Sequence, residues 1–216
     1  MDRKQTKKYL ILVEGQDEEL YFKRLEQFIN LCEDVKYKVS INIKVIRNNF
    51  SSFIKKNSSI SLNTVIYFVY DYEGNEEYFK KNVLSNIKSC RNIKKGMQFV
   101  LGYNNLSIEL WMLLHKTMFK RSVIHIGDYL EFINRQFNEK IESINTFKQE
   151  TNFKKCLSKI TLDNVKKAVK RADKIMEDLK KDEQQMEYKG FRYYRKNPSL
   201  TTHEIVRIIL SDCEIY

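Results

Sequence analysis

Short hydrophobic runs alternate with amphipathic stretches through the first half of the chain, and this alternation most constrains the fold. Four runs are predicted to be strands: residues 9–13, 38–46, 64–70 and 97–103. Helical spacing predicts helices over residues 17–31, 51–56, 76–89 and 107–114. The third run is hydrophobic at nearly every position, which is typical of a central parallel strand covered on both faces. This order predicts an open, mainly parallel four-stranded α/β sheet flanked by helices.

The second half of the chain has few strand patterns. Residues 162–186 have the spacing of one long amphipathic helix, and residues 128–137 and 201–210 are also predicted to be helical. No repeat or low-complexity linker separates the two halves. We therefore expect an α/β domain over residues 1–117 and a helical C-terminal region over residues 118–216 that packs on it.

The composition is that of a compact folded protein. Hydrophobic residues make up 42% of the 216 residues, and glycine and proline are scarce, which excludes collagen-like and largely disordered chains. The longest hydrophobic runs are far shorter than the roughly 18–20 residues that cross a membrane, and the first residues do not resemble a secretory signal. The cysteines and histidines are too widely spaced for a zinc site. We expect a cytoplasmic protein without a membrane partner.

Positive charge is in excess and is concentrated in one region. Lys and Arg outnumber Asp and Glu by 39 to 28, which gives a net charge of +11 and favours a polyanionic partner, nucleic acid first. Residues 148–196 contain fifteen basic and eight acidic residues, which is +7 of that excess. The candidate nucleic-acid-binding residues are Lys166, Lys167, Lys170, Arg171, Lys174, Arg192, Arg195 and Lys196. Tyr193 and Tyr194, between basic residues, are candidates for stacking on bases.

Two alternatives to this interpretation stay open. Lysine exceeds arginine, and Asn and Ile are abundant, which the codon usage of an AT-rich genome produces without selection for binding. A lysine-rich face also keeps an exposed amphipathic helix soluble. The charge excess therefore favours nucleic acid without establishing it.

Acidic side chains follow two of the predicted strands. Glu14 follows the first strand and Glu18 lies on the next helix, while Asp71 and Glu73 follow the third strand. Ligands of open α/β sheets bind beyond the carboxyl ends of the strands, and carboxylates suit Mg²⁺ or Mn²⁺. Alternatively, the first pair caps a helix and the second forms a polar turn. Because four converging carboxylates repel one another without a cation, together they favour a metal site and phosphodiester chemistry.

Three blocks of sequence together resemble a known domain. A strand followed by Glu14 and a glycine, and a strand ending in Asp-Tyr-Glu at residues 71–73, are similar to the Toprim domain of topoisomerases, primases and nucleases of the overcoming-lysogenization-defect type. Residues 107–115, Ser-Ile-Glu-Leu-Trp-Met-Leu-Leu-His, resemble the Phe-Glu-Leu-Trp-Leu-Leu-x-His signature of RloB-like Toprim proteins. Those proteins are associated with bacterial restriction and abortive-infection loci. The resemblance implies a Toprim-like sheet with a C-terminal helical extension.

The resemblance also implies roles for single residues. Glu14 matches the Toprim glutamate, a metal ligand or general acid or base, and Glu18 matches the additional helix glutamate of the nuclease branch. Asp71 matches the first aspartate of the acidic pair. Glu73 stands where the family usually has aspartate, so its longer side chain either shifts the metal contact or weakens the site.

Glu109 and His115 match the third block, so the resemblance implies that both are catalytic. They lie six residues apart on one predicted helix and need not face the same way. The alternatives are a buried core position for His115 and a solvated one for Glu109. The sequence alone leaves both choices open.

The predicted function is a Mg²⁺- or Mn²⁺-dependent nuclease of the Toprim type that acts on DNA or RNA in anti-phage defence, with a partner ATPase or another defence subunit. Its predicted metal ligands are Glu14, Asp71 and Glu73, assisted by Glu18. The alternative, from another class, is a nucleic-acid- or partner-binding module in which Glu73 marks a decayed catalytic site. The ribosomal-RNA maturase of the Toprim class is disfavoured because no basic run follows Gly74. Primase and topoisomerase are disfavoured because the chain has no zinc motif and no sizeable tyrosine-bearing gate domain.

Overall fold

The structure, a computed structural model, describes residues 4–57, 64–91, 93 and 96–216. Its strands are β1 Thr6–Val13, β2 Lys38–Val45, β3 Val65–Asp71, β4 Gln98–Asn105, β5 Met186–Tyr188, β6 Phe191–Tyr193 and β7 Ser199–Leu200. Five of them form one sheet in the order β2-β1-β3-β4-β7, in which β1 to β4 are parallel and β7 is antiparallel to β4. The predicted open, mainly parallel α/β sheet is confirmed, and it is consistent with a Toprim-like fold.

Helices connect the strands and make up most of the C-terminal region. They are α1 Gln16–Leu31, α2 Phe50–Lys56, α3 Glu76–Tyr78, α4 Ser85–Arg91, α5 Ile108–Leu114, α6 Tyr129–Phe137, α7 Ile144–Phe147, α8 Glu150–Ser158, α9 Leu162–Asp182 and α10 Thr202–Asp212. A π-helical segment, Phe79–Leu84, joins α3 to α4. Among the described residues, no helix is long and apolar enough to cross a membrane.

The C-terminal region departs from the helical prediction at three short strands. The long helix predicted to reach residue 186 ends at Asp182, and the antiparallel hairpin of β5 and β6 follows it. β7 then adds a fifth strand to the predicted four. Strands of two or three residues are too short to show an alternating pattern, so the sequence carries little signal for them.

Hydrophobic side chains cover both faces of the sheet. Ile11 and Val13 of β1 pack in one cluster with residues of α1, α5, α9 and α10. Leu10 and Leu12, which alternate with them, pack in a second cluster with α2 and the helical stretch 76–91. Successive side chains of a strand point to opposite faces of the sheet, which explains this alternation. Helices therefore cover both faces of the sheet near the end of β1.

The last helix docks directly on β4. Thr201, just before α10, donates its backbone N–H to the carbonyl of Tyr103 at 2.8 Å. Gly102 permits this approach, because a Cβ there would lie 2.7 Å from Cδ1 of Ile205 and 3.0 Å from Cα of Thr202. The backbone at Thr202 and the side chain of Ile205 therefore pack directly against β4 at Gly102.

We expect Gly102→Ala to lower the free energy of unfolding by about 1–3 kcal/mol, because the added methyl group overpacks the contact between β4 and α10. Urea denaturation would measure it. Gly127→Ala is the matched control, since a Cβ at Gly127 meets nothing within 4 Å. Equal stability of Gly102→Ala and the wild type would contradict the close docking of α10.

Candidate functional site

A cleft of about 380 Å³ opens at the carboxyl edge of the sheet, where β1 and β3 end. Its acidic lining residues are Glu14, Asp17, Glu18, Asp71 and Glu73. The structure thus brings together the four carboxylates that the sequence suggested as metal ligands. It adds Asp17, which the sequence had not singled out although it lies on the opening turn of α1.

Glu14 bridges the ends of the two central strands. The backbone N–H of Glu14 donates to the carbonyl of Val69 at 3.3 Å, which extends the parallel pairing of β1 with β3. The backbone N–H of Asp71 donates to Oε2 of Glu14 at 3.1 Å. The carboxylate of Glu14 is therefore held between the two strand ends.

Asp71 is oriented by the neighbouring strand and helix. Nδ2 of Asn104, at the end of β4, donates to its Oδ1 at 3.2 Å. The backbone N–H of Ile108, at the start of α5, donates to its Oδ2 at 3.3 Å. Asp71 is 8% exposed, so this carboxylate forms the floor of the cleft.

Glu18 caps α1 and also lines the cleft. Its Oε2 accepts a hydrogen bond of 2.9 Å from the backbone N–H of Gly15. A Cβ at Gly15 would lie 3.1 Å from the same oxygen, so glycine leaves room for the carboxylate. The capping role considered for Glu18 is therefore observed, and it does not remove the residue from the cleft.

Glu109 lies behind the cleft and is fully buried. Nζ of Lys148, which follows α7, lies 3.3 Å from its Oε1. Among the described residues, neither oxygen of Glu109 accepts a hydrogen bond of ordinary geometry. Burial alone would lower the pKa of Lys148, but the carboxylates of Glu109, Asp71 and Asp17 raise it above its ordinary value. The solvated position considered for Glu109 is therefore not observed.

The carboxylates of the cleft are held in surroundings that disfavour their charge. Burial raises the pKa of Glu14, Asp17, Glu18 and Asp71, with that of Asp17 reaching about 7. Neighbouring carboxylates add to the shift, since Glu109 raises the pKa of Asp17, Glu18 and Asp71. The positively charged side chains near the cleft do not cancel this effect of burial on the carboxylates. A bound cation would stabilise their ionised forms.

The donor chemistry of the cleft fits a hard divalent cation. Carboxylate oxygens are the ligands that Mg²⁺ and Mn²⁺ prefer. Behind them, Glu109 is paired with Lys148 but accepts no hydrogen bond of ordinary geometry from the described residues. In the described part of the chain, no three His, Cys, Asp or Glu side chains are already grouped as metal ligands. The fit therefore lies in residue type and charge, without a preformed coordination shell.

Glu73 lies at the exposed mouth of the cleft. Its backbone φ is 53°, in the left-handed region, and its N–H donates to the carbonyl of Leu106 at 2.9 Å. Aspartate and asparagine adopt this conformation more readily than other residues with a side chain. The aspartate usual in the family would therefore suit this backbone better than the glutamate found here.

His115 lies in the core and does not line the cleft. Its Nδ1 is 2.8 Å from the carbonyl oxygen of Trp111, and its Nε2 is 3.2 Å from the hydroxyl of Tyr21. Burial lowers the pKa of His115 to about 3, so the ring is neutral at ordinary pH. The core position considered for His115 is the one observed, and its catalytic role stays a prediction.

None of the eight basic residues suggested as a nucleic-acid surface lines the acidic cleft. Five of the eight form ion pairs: Lys167 with Asp163, Lys174 with Asp178, Arg192 with Glu187, Arg195 with Glu76 and Lys196 with Glu183. Arg171 donates from Nη1 to the carbonyl of Leu114 at 2.6 Å, at the end of α5. In the described part of the chain, only Lys166 and Lys170 of this set have neither kind of partner.

The stacking suggested for Tyr193 and Tyr194 is wrong for this structure. The two residues are 1% and 2% exposed, so neither ring presents a face to solvent. The hydroxyl of Tyr193 donates to Oε1 of Glu76 at 2.6 Å, and the backbone N–H of Tyr194 donates to the hydroxyl of Tyr103 at 3.0 Å. Tyr193 therefore ties the C-terminal segment to α3, and Tyr194 ties it to β4.

Besides Gln16 and Asp17, the cleft contains three further side chains that the sequence analysis did not identify: Arg47, Tyr78 and Lys148. Arg47 follows β2 and Tyr78 ends the first helical turn after β3, so both positions belong to the carboxyl edge of a parallel sheet. Their location after predicted strands was the sequence signal that could have identified Arg47 and Tyr78. Lys148 reaches the cleft only through the packing of the C-terminal region, for which the sequence carries no local signal.

The fold and the cleft define an open α/β protein that gathers carboxylates at the carboxyl edge of its sheet. A family model described as RloB-like protein matches residues 9–209, and the chain belongs to this RloB-like family. The family suggested by the block at residues 107–115 is thereby confirmed. No curated protein and no solved structure matches the chain.

We expect Asp17→Asn to raise the stability of the metal-free protein at pH 8 by on the order of 2 kcal/mol. The folded-state pKa of Asp17, about 7, lies above its ordinary value, so the folded protein binds more protons than the unfolded chain between these values. The contribution of Asp17 to the free energy of unfolding is fully present below about pH 4 and is lost as the pH rises to about 7. Asparagine does not ionise, so the variant does not lose stability in this pH range.

Urea denaturation in EDTA from pH 4 to pH 8 would measure this effect. The control is Glu177→Gln on α9, an exposed carboxylate outside the cleft. A difference between Asp17→Asn and wild type that stays constant with pH would contradict the electrostatic explanation.

Proposed function

We propose that the chain is a nuclease of the Toprim type that hydrolyses phosphodiester bonds with Mg²⁺ or Mn²⁺. The observation that carries the proposal is the gathering of Glu14, Glu18, Asp71 and Glu73 at one cleft, where burial raises the pKa of the first three. Stability alone does not favour such a cluster, because each carboxylate raises the cost of ionising the others. A cation that binds the ionised forms gives the cluster a function.

Glu14, Glu18 and Asp71 would hold the cation, with Glu73 at the exposed mouth. When bound, it would supply Lewis acidity toward phosphate oxygens. The chain's own contribution is orientation, since backbone N–H groups fix one carboxylate oxygen of each of these three acids. Lys148 keeps a positive charge beside Glu109, which offsets part of the repulsion at the cleft.

Family membership supports a biological role in the same proposal. The chain resembles RloB-like proteins, which are associated with bacterial restriction and abortive-infection loci. The family match covers residues 9–209. We therefore place the proposed nuclease in anti-phage defence, with nucleic acid as substrate and an ATPase or another defence subunit as partner. The alternative is a binding module without catalysis, and the experiments below distinguish the two.

We expect Glu14→Gln and Asp71→Asn each to lower Mn²⁺-dependent cleavage of nucleic acid by about 100-fold or more, because each removes a charged ligand. Glu14→Gln should keep the melting temperature within a few degrees, since the glutamine oxygen still accepts the N–H of Asp71. Gel assays on labelled DNA and RNA, with Mg²⁺, Mn²⁺, Ca²⁺ or EDTA, would measure cleavage.

Glu177→Gln is again the matched control and should cleave as the wild type does. Full activity of Glu14→Gln or Asp71→Asn would contradict the metal site. A wild-type protein that binds nucleic acid but cleaves neither DNA nor RNA with any of the cations would favour the binding module.

We expect Glu73→Asp to retain or increase cleavage and to leave the melting temperature unchanged or slightly higher. Aspartate tolerates the left-handed backbone at this position and restores the shorter side chain usual in the family. Glu73→Gln, which keeps the length and removes the charge, separates charge from conformation. A loss of cleavage in Glu73→Asp at an unchanged melting temperature would contradict this expectation.

A further inference from the structure

Arg47 places a positive charge at the cleft that the metal proposal leaves without a role. It follows β2, and the backbone N–H of the preceding Ile46 donates to the carbonyl of Val13 at 2.8 Å. This continued pairing sets Arg47 beside the end of β1, where its charge lowers the pKa of Glu14 against the larger effect of burial. In the described part of the chain, no carboxylate lies within ion-pair distance of Arg47. Arg47 is an exposed residue that lines the cleft, so it is available to a ligand there.

Tyr78 places an aromatic ring at the same cleft. The residue is 40% exposed, and its backbone is fixed because its N–H donates to Oδ1 of Asn75 at 3.0 Å. Tyr78 lines the cleft together with Glu14 and Glu73, and burial, with the charges of these two carboxylates, raises its pKa. The described residues include no other aromatic ring in contact with it. A partly exposed ring on a fixed backbone is a surface that a flat ligand can cover.

Arg47 and Tyr78 border the cleft on the same face of the sheet. Arg47 lies just before α2, and Tyr78 lies in the first turn of the helical stretch 76–91. Both α2 and this stretch pack in the second hydrophobic cluster. Asp17, Glu18 and Glu109 lie on α1 and α5, which pack in the first cluster. A chain of phosphates that reached the carboxylates would therefore pass Arg47 and Tyr78 on one side.

We infer that Arg47 and Tyr78 form the binding surface for an unpaired nucleic-acid strand, in which Arg47 contacts a phosphate and Tyr78 stacks on a base. The inference rests on the proposed function, because it names the substrate class for the same cleft. A base in a duplex is already stacked and shields its faces, whereas an unpaired base has a free face for an aromatic side chain. The floor of the cleft is also recessed, with Asp71 8% and Glu18 4% exposed, which favours a flexible strand over a stiff duplex.

Binding can be measured apart from cleavage by fluorescence anisotropy in Ca²⁺ and in EDTA. The probes are fluorescein-labelled oligonucleotides of about 20 nucleotides, longer than the roughly 4–16 nucleotides of a single-strand site. They are used as single strands and as duplexes, in DNA and RNA. We expect the wild type to bind the single strand more tightly. Tyr78→Ala should weaken that binding about 5- to 100-fold, which is the loss of one base stack, while Tyr78→Phe stays near the wild type.

Arg47→Gln should weaken single-strand binding and reduce the slope of log affinity against log salt by about 0.7, which is one phosphate contact. The matched controls are Tyr216→Ala and Arg121→Gln, exposed residues outside the cleft. Equal effects of Arg47→Gln and Arg121→Gln, or no effect of Tyr78→Ala, would overturn the inference. So would preferential binding of the duplex.

The two proposals fail in different ways. If Glu14→Gln abolishes cleavage but Tyr78→Ala and Arg47→Gln bind as the wild type does, the nuclease proposal is supported and the strand-binding surface is contradicted. If single-strand binding depends on Tyr78 and Arg47 but no cation supports cleavage, the binding surface is supported and the nuclease proposal is contradicted.

Discussion

The parallel pairing of β1 with β3 is the contact on which the candidate site depends. It brings two strand ends together, and the hydrogen bond from the N–H of Asp71 to Glu14 joins them at the edge. Everything else at the cleft is added to this pair of residues. α1 contributes Glu18 through its first turn, and α5 holds Asp71 through the N–H of Ile108. A parallel sheet makes this possible because its strands end at the same edge.

The same pairing forces like charges into a poorly solvated space. Burial raises the pKa of Glu14 and Asp71, and the buried Glu109 behind them has an ion pair with Lys148 but no hydrogen-bond donor of ordinary geometry among the described residues. A fold selected only for stability would replace such residues with hydrophobic ones of similar size. Retaining them reduces stability, and this trade-off is typical of sites that bind or act on a ligand.

The sequence predicted the parts of this arrangement that are local. Periodicity located β1 to β4 and α1 because each is long enough to show a pattern, and it placed Glu14 and Asp71 at strand ends. It missed β7, which has two residues, and Lys148, whose place depends on how α7 and α8 pack. The block at residues 107–115 predicted the family, but the contacts of His115 with Trp111 and Tyr21 depend on packing that a motif does not show.

The net charge of the protein and the local charge of the cleft have opposite signs. A net charge of +11 favours the approach of polyanions to the protein as a whole, while the cleft itself is lined by acidic side chains. A phosphate drawn to the protein by the first effect is repelled by the second unless a cation has neutralised the carboxylates. Under the proposed function, divalent cation and nucleic acid therefore bind with positive coupling, because each reduces the electrostatic cost that the other meets in the same cleft. Under the same proposal, the net positive charge would speed encounter with nucleic acid, and the acidic cleft would make productive binding conditional on the metal.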